Sequence, residues 1–172
     1  MAEVEITYLE MLAPPDGEPI PPPRNDLLVE RTEDPTVDYY RYLYDAVDDP
    51  WQWFDLRTAP DEEIAKTVQD PNVELWVLSV GEETAGFAEL DRRIENEVQM
   101  AYFGLFPQFI GQGLGAYFLS WTVGQAWSYR PSRFWLHTCT LDHPRALGNY
   151  RRAGFVPYDK RTVRVDDPPS GM

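Results

Sequence analysis

The chain has 172 residues, 43% apolar and 14% aromatic, which is enough side-chain area for one buried core and excludes a disordered chain. Its net charge is −14, all of it contributed by residues 1–75 (19 acidic, 5 basic), whereas residues 76–172 carry ten of each sign. Such a surface excludes nucleic acid as a partner, because that binding requires phosphate neutralisation, and it attracts cationic small molecules or basic peptides.

The first residues, Met1-Ala2-Glu3-Val4-Glu5, are acidic and lack the basic flank and apolar run of a secretory signal. Residues 5–12 read as an opening strand. Residues 13–24 hold six of the sixteen prolines and read as an extended surface loop. Residues 37–47 form a helix with Tyr40 and Tyr44 at i,i+4 on one face, stopped by Pro50. A second helix begins at Asp61-Glu62-Glu63, acidic where a helix N-terminus favours it, and ends at Pro71-Asn72.

The period then changes to strand. Residues 73–80, 84–91 and 97–106 read as three strands on short links, an antiparallel meander. A glycine-rich loop follows Pro107, and an apolar helix runs from Leu114 to about Tyr129. Residues 133–141 read as a strand, 143–153 as a short helix, 155–165 as a last strand, and 166–172 as a frayed tail. One helix thus connects strands 97–106 and 133–141, which predicts parallel neighbours with a right-handed crossover. The expectation is a single α/β domain over residues 1–172. No apolar stretch approaches the ~20 residues of a membrane span. The lone Cys139 permits no intrachain disulfide, which points to a reducing compartment, the cytoplasm.

The chemistry is expected in the loop Phe109-Ile110-Gly111-Gln112-Gly113-Leu114-Gly115, between a strand and a helix N-terminus. Alternating glycines let a ligand approach the backbone, and the first-turn N–H groups favour an anion. No Lys or Arg occurs from Gln99 to Tyr129, so a phosphate there has to be held by backbone amides. A nucleoside-triphosphate loop needs Gly-Lys-Ser/Thr, which is missing. The dinucleotide fingerprint, nominally Gly111-x-Gly113-x-x-Ala116, fails on context: four residues separate it from its strand, and no acidic residue lies between Glu97 and Asp142.

Leu105-Phe106-Pro107, then Gly111-Gln112-Gly113-Leu114-Gly115, and later Tyr150-Arg151-Arg152-Ala153-Gly154-Phe155 with Ala146 at its spacing, resemble the GNAT superfamily of N-acetyltransferases over nearly the whole chain. The resemblance implies a mixed, mostly antiparallel sheet with helices on both faces. A parallel pair of strands (97–106 and 133–141, the family's fourth and fifth) would splay around acyl-CoA. It implies acetyl-CoA as co-substrate and an amine-bearing acceptor, small molecule or peptide; two histidines and one cysteine without ligand-type spacing predict no metal site. The N–H of Leu105 would hold the thioester oxygen, and amides of Ile110, Gly111, Gln112, Gly113, Leu114 and Gly115 the pyrophosphate. Tyr150 would protonate the leaving thiolate, with His143 and Ala146 beside the cofactor. Two positions depart from the pattern: Ile110 replaces Arg/Gln, and His143 replaces the frequent Asn.

Where some members carry a basic Glu, this chain has Gln99. Glu89, among apolar strand residues, is the substitute base; a solvent-facing Glu on an alternating strand and deprotonation through water are the alternatives. Acceptor recognition is expected from the early acidic region with Trp51 and Trp53, aromatic walls suited to an ammonium group. Arg145, Arg151 and Arg152 are candidates for the 3′-phosphate. His137 and Cys139 share a strand face and are expected to pack there, since no third group orients them as a nucleophile pair. Dimers are common in the family, and no interface signature is visible. A non-catalytic acyl-CoA sensor on the same fold is the alternative function.

Overall fold

A computed structural model of the chain describes residues 2–47, 59–140 and 145–165. Trp51, Trp53 and His143 therefore lie outside the described residues, as does the tail. Seven strands are present: β1 (Ala2–Met11), β2 (Leu27–Thr32), β3 (Val73–Val80), β4 (Glu83–Asp91), β5 (Glu97–Leu105), β6 (Arg133–Cys139) and β7 (Val156–Val165). Among the described residues there are four α-helices: α1 (Val37–Val47), α2 (Asp61–Val68), α3 (Leu114–Trp127) and α4 (Ala146–Ala153). The strands form one sheet in the order β2-β3-β4-β5-β6-β1-β7, antiparallel except for the β5–β6 pair.

Two features were not foreseen. Leu27–Thr32, beyond the 13–24 connector and given no element in the sequence, is an edge strand, paired with β3 from Leu27↔Val80 to Thr32↔Leu75. The opening strand lies inside the sheet, between β6 and β7, bonded along both edges.

Thr36 caps α1, its Oγ1 accepting the Tyr39 N–H at 3.1 Å. Tyr40, Leu43, Tyr44 and Val47 then recur at helical spacing and are buried against β4 and β5. Tyr44 packs on Phe87 and Tyr102, with ring centroids 5.0 and 4.6 Å apart. The approach is close: a Cβ on Gly104 would lie 2.5 Å from Val47 Cγ1. On the opposite sheet face α3 presents Phe118 to Phe103 and Trp121 to Trp76. Three more of its buried residues, Leu119, Val123 and Ala126, join Leu9, Phe134, Leu136 and Phe155 in a second core. Helices thus cover both faces. No helix among the described residues is long and apolar enough to cross a membrane.

Polar locks gather where β5 and β6 begin. Arg133 of β6 bonds Glu10 of β1 at 2.8 Å, Glu97 of β5 at 3.3 Å and Tyr158 Oη of β7 at 2.5 Å, so one guanidinium fastens four strands. Nearby, Glu74 is fully buried. It accepts hydrogen bonds from Trp76 Nε1 and Arg92 Nε, both at 2.8 Å, and from Tyr129 Oη just beyond α3.

Candidate active site

The parallel pair is hydrogen-bonded only from Glu97↔Arg133 to Gln99↔Trp135, although β5 continues to Leu105 and β6 to Cys139. The cause is visible in β5. Glu89 faces Tyr102 and Leu90 faces Met100, so Ala101 is an extra residue, a bulge that bends the strand away from β6. A wedge-shaped gap opens beyond Gln99.

Donors line that gap. The N–H of Phe106 bonds Ala85 O at 2.7 Å, on the β4 side. Successive N–H groups of a strand point to opposite edges, so the Leu105 N–H turns toward the gap. A one-turn 3₁₀ helix, Pro107–Phe109, then reverses the chain. Gly111 and Gly113 have φ of 87° and 80°, left-handed values that explain glycine at both positions. α3 starts at Leu114 with no side chain capping it, which leaves its first-turn N–H groups for a ligand. Leu105 Cδ1 lies 3.5 Å from the Cβ position of Gly115, so the end of β5 and the start of α3 meet at the same opening. A Cβ on Gly111 would meet nothing within 4 Å, and Ile110 is 49% exposed. The loop therefore offers amides and open space, the setting that suits a pyrophosphate.

Ala146 is the first residue of α4. Tyr150, on the same helix, is half-buried against the second core, its ring at 80° to Phe155 with centroids 6.1 Å apart. Arg145 immediately precedes α4, while Arg151 and Arg152 lie in its last turn.

Glu89 does not face solvent: it is 2% exposed and points at α1. Tyr40 Oη donates to its Oε1, and Tyr44 Oη lies 3.5 Å from the same oxygen. The two phenols are themselves 2.5 Å apart. Burial lifts the Glu89 carboxyl to about 7, against the opposing pull of the Tyr40 hydrogen bond. Burial, with the Glu89 charge adding to it, raises both tyrosines well above their ordinary value, so they stay protonated. Sequence reading had noted the two tyrosines on one helix face without assigning them this partner. Their i,i+4 spacing opposite a strand carboxylate was the available signal.

Gln99 lies on the same sheet face as Glu89 and lines a cleft of about 350 Å³ with Asp91, Arg93, Ile94, Glu97 and Trp135. Trp135 Nε1 is buried there without a hydrogen-bond partner. Cys139 packs with Val4 and Ile6, and the His137 ring stands 5.7 Å from that of Tyr8, as expected of packing residues. Among the described residues no group of His, Cys, Asp or Glu is arranged to hold a metal.

No curated protein sequence matches the chain. Solved structures do. A conserved protein of unknown function from Staphylococcus epidermidis aligns with a TM-score of 0.61 at 16% identity, over 93% of this chain and 59% of that one. A tandem GNAT protein from the clavulanic acid biosynthesis pathway aligns with a TM-score of 0.63 at 15% identity, over 91% and 51%. The chain thus spans between half and three fifths of those proteins. An aminoglycoside acetyltransferase from an uncultured soil metagenomic sample aligns with a TM-score of 0.58 at 13% identity, over 75% and 88%. At such identities the likeness is one of fold. The acetyltransferase (GNAT) family profile matches residues 40–155, from Tyr40 beside the buried carboxylate to Phe155 behind Tyr150, and the chain belongs to that family.

Proposed function

We propose that the protein is an N-acetyltransferase that moves the acetyl group of acetyl-CoA directly to the amine of a cationic small molecule or peptide. The observation that carries this reading is the end of β5–β6 pairing at Gln99, with the Leu105 N–H turned into the gap beside an uncapped, glycine-rich helix start.

The Leu105 N–H holds the thioester oxygen and stabilises the charge that grows there as the amine attacks. Loop amides from Ile110 to Gly115 fix the pyrophosphate, with Ala146 at the edge of the site. Glu89 takes the proton of the acceptor ammonium. Glu89 is enclosed together with Tyr40 and Tyr44, so the proton has to travel along this hydroxyl cluster, Tyr40 giving its own proton to the carboxylate as it accepts another. A carboxyl at about 7 suits that exchange at neutral pH. Tyr150 protonates the departing thiolate. The acidic first 75 residues, carried into α1 and α2 on the Glu89 side of the sheet, favour a cationic acceptor.

The enclosure of Glu89 and the presence of Gln99 also support a second reading, an acyl-CoA sensor without turnover. Calorimetric titration with acetyl-CoA, followed by thiol-release assays on amines, polyamines, aminoglycosides and peptides, separates the two. Binding with release supports the transferase, binding without release on any amine supports the sensor, and absence of binding overturns both.

A further inference from the structure

The strap between β1 and β2, residues 12–26, belongs to no sheet or helix, yet it is fastened along its length. Pro15 Cβ lies 3.2 Å from the Cβ position of Gly154, at the end of α4. The Ile20 N–H donates to Ser120 Oγ, midway along α3, at 3.0 Å. Pro23 Cβ comes within 3.9 Å of the Cβ position of Gly113. Asp26 O then accepts the Gly81 N–H at 2.8 Å. The strap therefore follows α3 back toward its N-terminus and passes the glycine loop one residue before Arg24. Its prolines limit the freedom of the unfolded segment, which makes this path less costly to hold.

Resting on the reading of that loop as a pyrophosphate site, we propose that Arg24 is the cation that pairs with the pyrophosphate of acyl-CoA. The loop and its helix, from Gln99 to Tyr129, contain no Lys or Arg, so their amides offer only partial charges to a dianionic group. The strap carries Arg24, from a distant part of the sequence, one residue past the point where Pro23 approaches Gly113. A guanidinium is also the group best shaped for a phosphate, since its planar fork can donate two parallel hydrogen bonds. Without a ligand the fork is held by Asp26, Nε to Oδ1 at 2.6 Å and Nη2 to Oδ2 at 2.7 Å. Both side chains are well exposed, so water and salt screen the pair and a more highly charged phosphate group can compete for the same fork. Asp26 thus acts as a resting partner that a phosphate displaces. Arg145, just before α4, and Arg151 and Arg152 in its last turn are the competing cations, and the test must tell them apart from Arg24.

The experiment is calorimetry on the full chain and its Arg24→Gln, Arg24→Lys and Asp26→Asn variants, with acetyl-CoA and with its 3′-dephospho form. Arg24→Gln should weaken both ligands by the same factor, about tenfold, and flatten the loss of affinity with salt. Arg24→Lys should recover part of that factor, and Asp26→Asn should tighten binding. Unchanged melting temperatures would exclude a folding defect in these exposed positions. Wild-type affinity in Arg24→Gln would overturn the assignment, as would a penalty that vanishes with the 3′-dephospho ligand; in either case the loop would remain a pyrophosphate site. A wild-type protein that binds neither ligand would overturn the loop reading itself, and the Arg24 assignment with it.

Discussion

The two ends of the β5–β6 pair are built on opposite principles. Where the strands start, Arg133 ties β1, β5, β6 and β7 together, and Glu74 fastens the end of α3 to the β3–β4 hairpin. Where they diverge, side-chain polar links give way to backbone: a bulge, two left-handed glycines, and N–H groups turned toward open space. The first end commits its polar side chains to stability, and the second offers the backbone N–H groups that the proposed acyl-CoA site would use. Substitutions at the two ends should therefore separate cleanly into those that move melting and those that move binding.

The largest effect is expected at the locked end. Glu74→Ala deprives Arg92, Tyr129 and Trp76 of their shared buried acceptor and should cost about 3–5 kcal/mol, read by denaturant unfolding. Acetyl-CoA affinity, measured where the variant is still folded, should not change. A variant of wild-type stability would show that the buried carboxylate is not a lock.

Glu89 sharpens the contrast, because its folded value of about 7 lies above the ordinary 4.5. Its contribution to stability is fully present below pH 4.5 and is lost as pH rises through 7, a loss on the order of 3 kcal/mol. Catalysis follows the reverse direction: the rate should climb through pH 7 as the carboxylate forms. Glu89→Gln should flatten both profiles, raising stability at pH 8 and lowering turnover. A rate limb near pH 7 that persists in this variant would assign the base elsewhere.

Tyr150→Phe should lower kcat roughly 100-fold with little change in acetyl-CoA affinity, as loss of a positioned acid predicts. Full turnover would remove Tyr150 from the mechanism. The smallest expected effect is at the open end. Gly111→Ala meets no atom and costs only the left-handed strain, roughly 1 kcal/mol. Its loop amides should lose alignment, with about tenfold weaker binding of acetyl-CoA. Unaltered affinity would move the phosphates away from this loop.

Much of this was legible in the chain. The meander, the crossover through α3 and the glycine loop follow from local period and turn chemistry, and each appears within a few residues of its expected place. What escaped reading was set by distance. Leu27–Thr32 is a short edge strand behind six prolines, and its Leu27 and Val29 are only partly buried, so its strand character rests on pairing with β3. The bulge at Ala101 leaves no mark in an apolar strand. The Tyr40–Tyr44–Glu89 cluster requires knowing that α1 lies over β4. Arg24 stands 87 residues before Gly111 in the numbering, so no window on the loop contains it.

The place of β1 has a consequence for how the molecule is made. Ala2 pairs with Val165, and Met11 with Phe134, so β1 finds both of its neighbours far later in the sequence. During translation it waits unpaired, its Val4, Ile6 and Leu9 side chains uncovered, while β2 to β5 assemble. Closing the sheet is then a late, long-range event with a high loop-closure cost. A nascent chain stalled before residue 133 should hold the α1–β3–β4–β5 part and leave its own beginning exposed to chaperones or to a neighbouring copy.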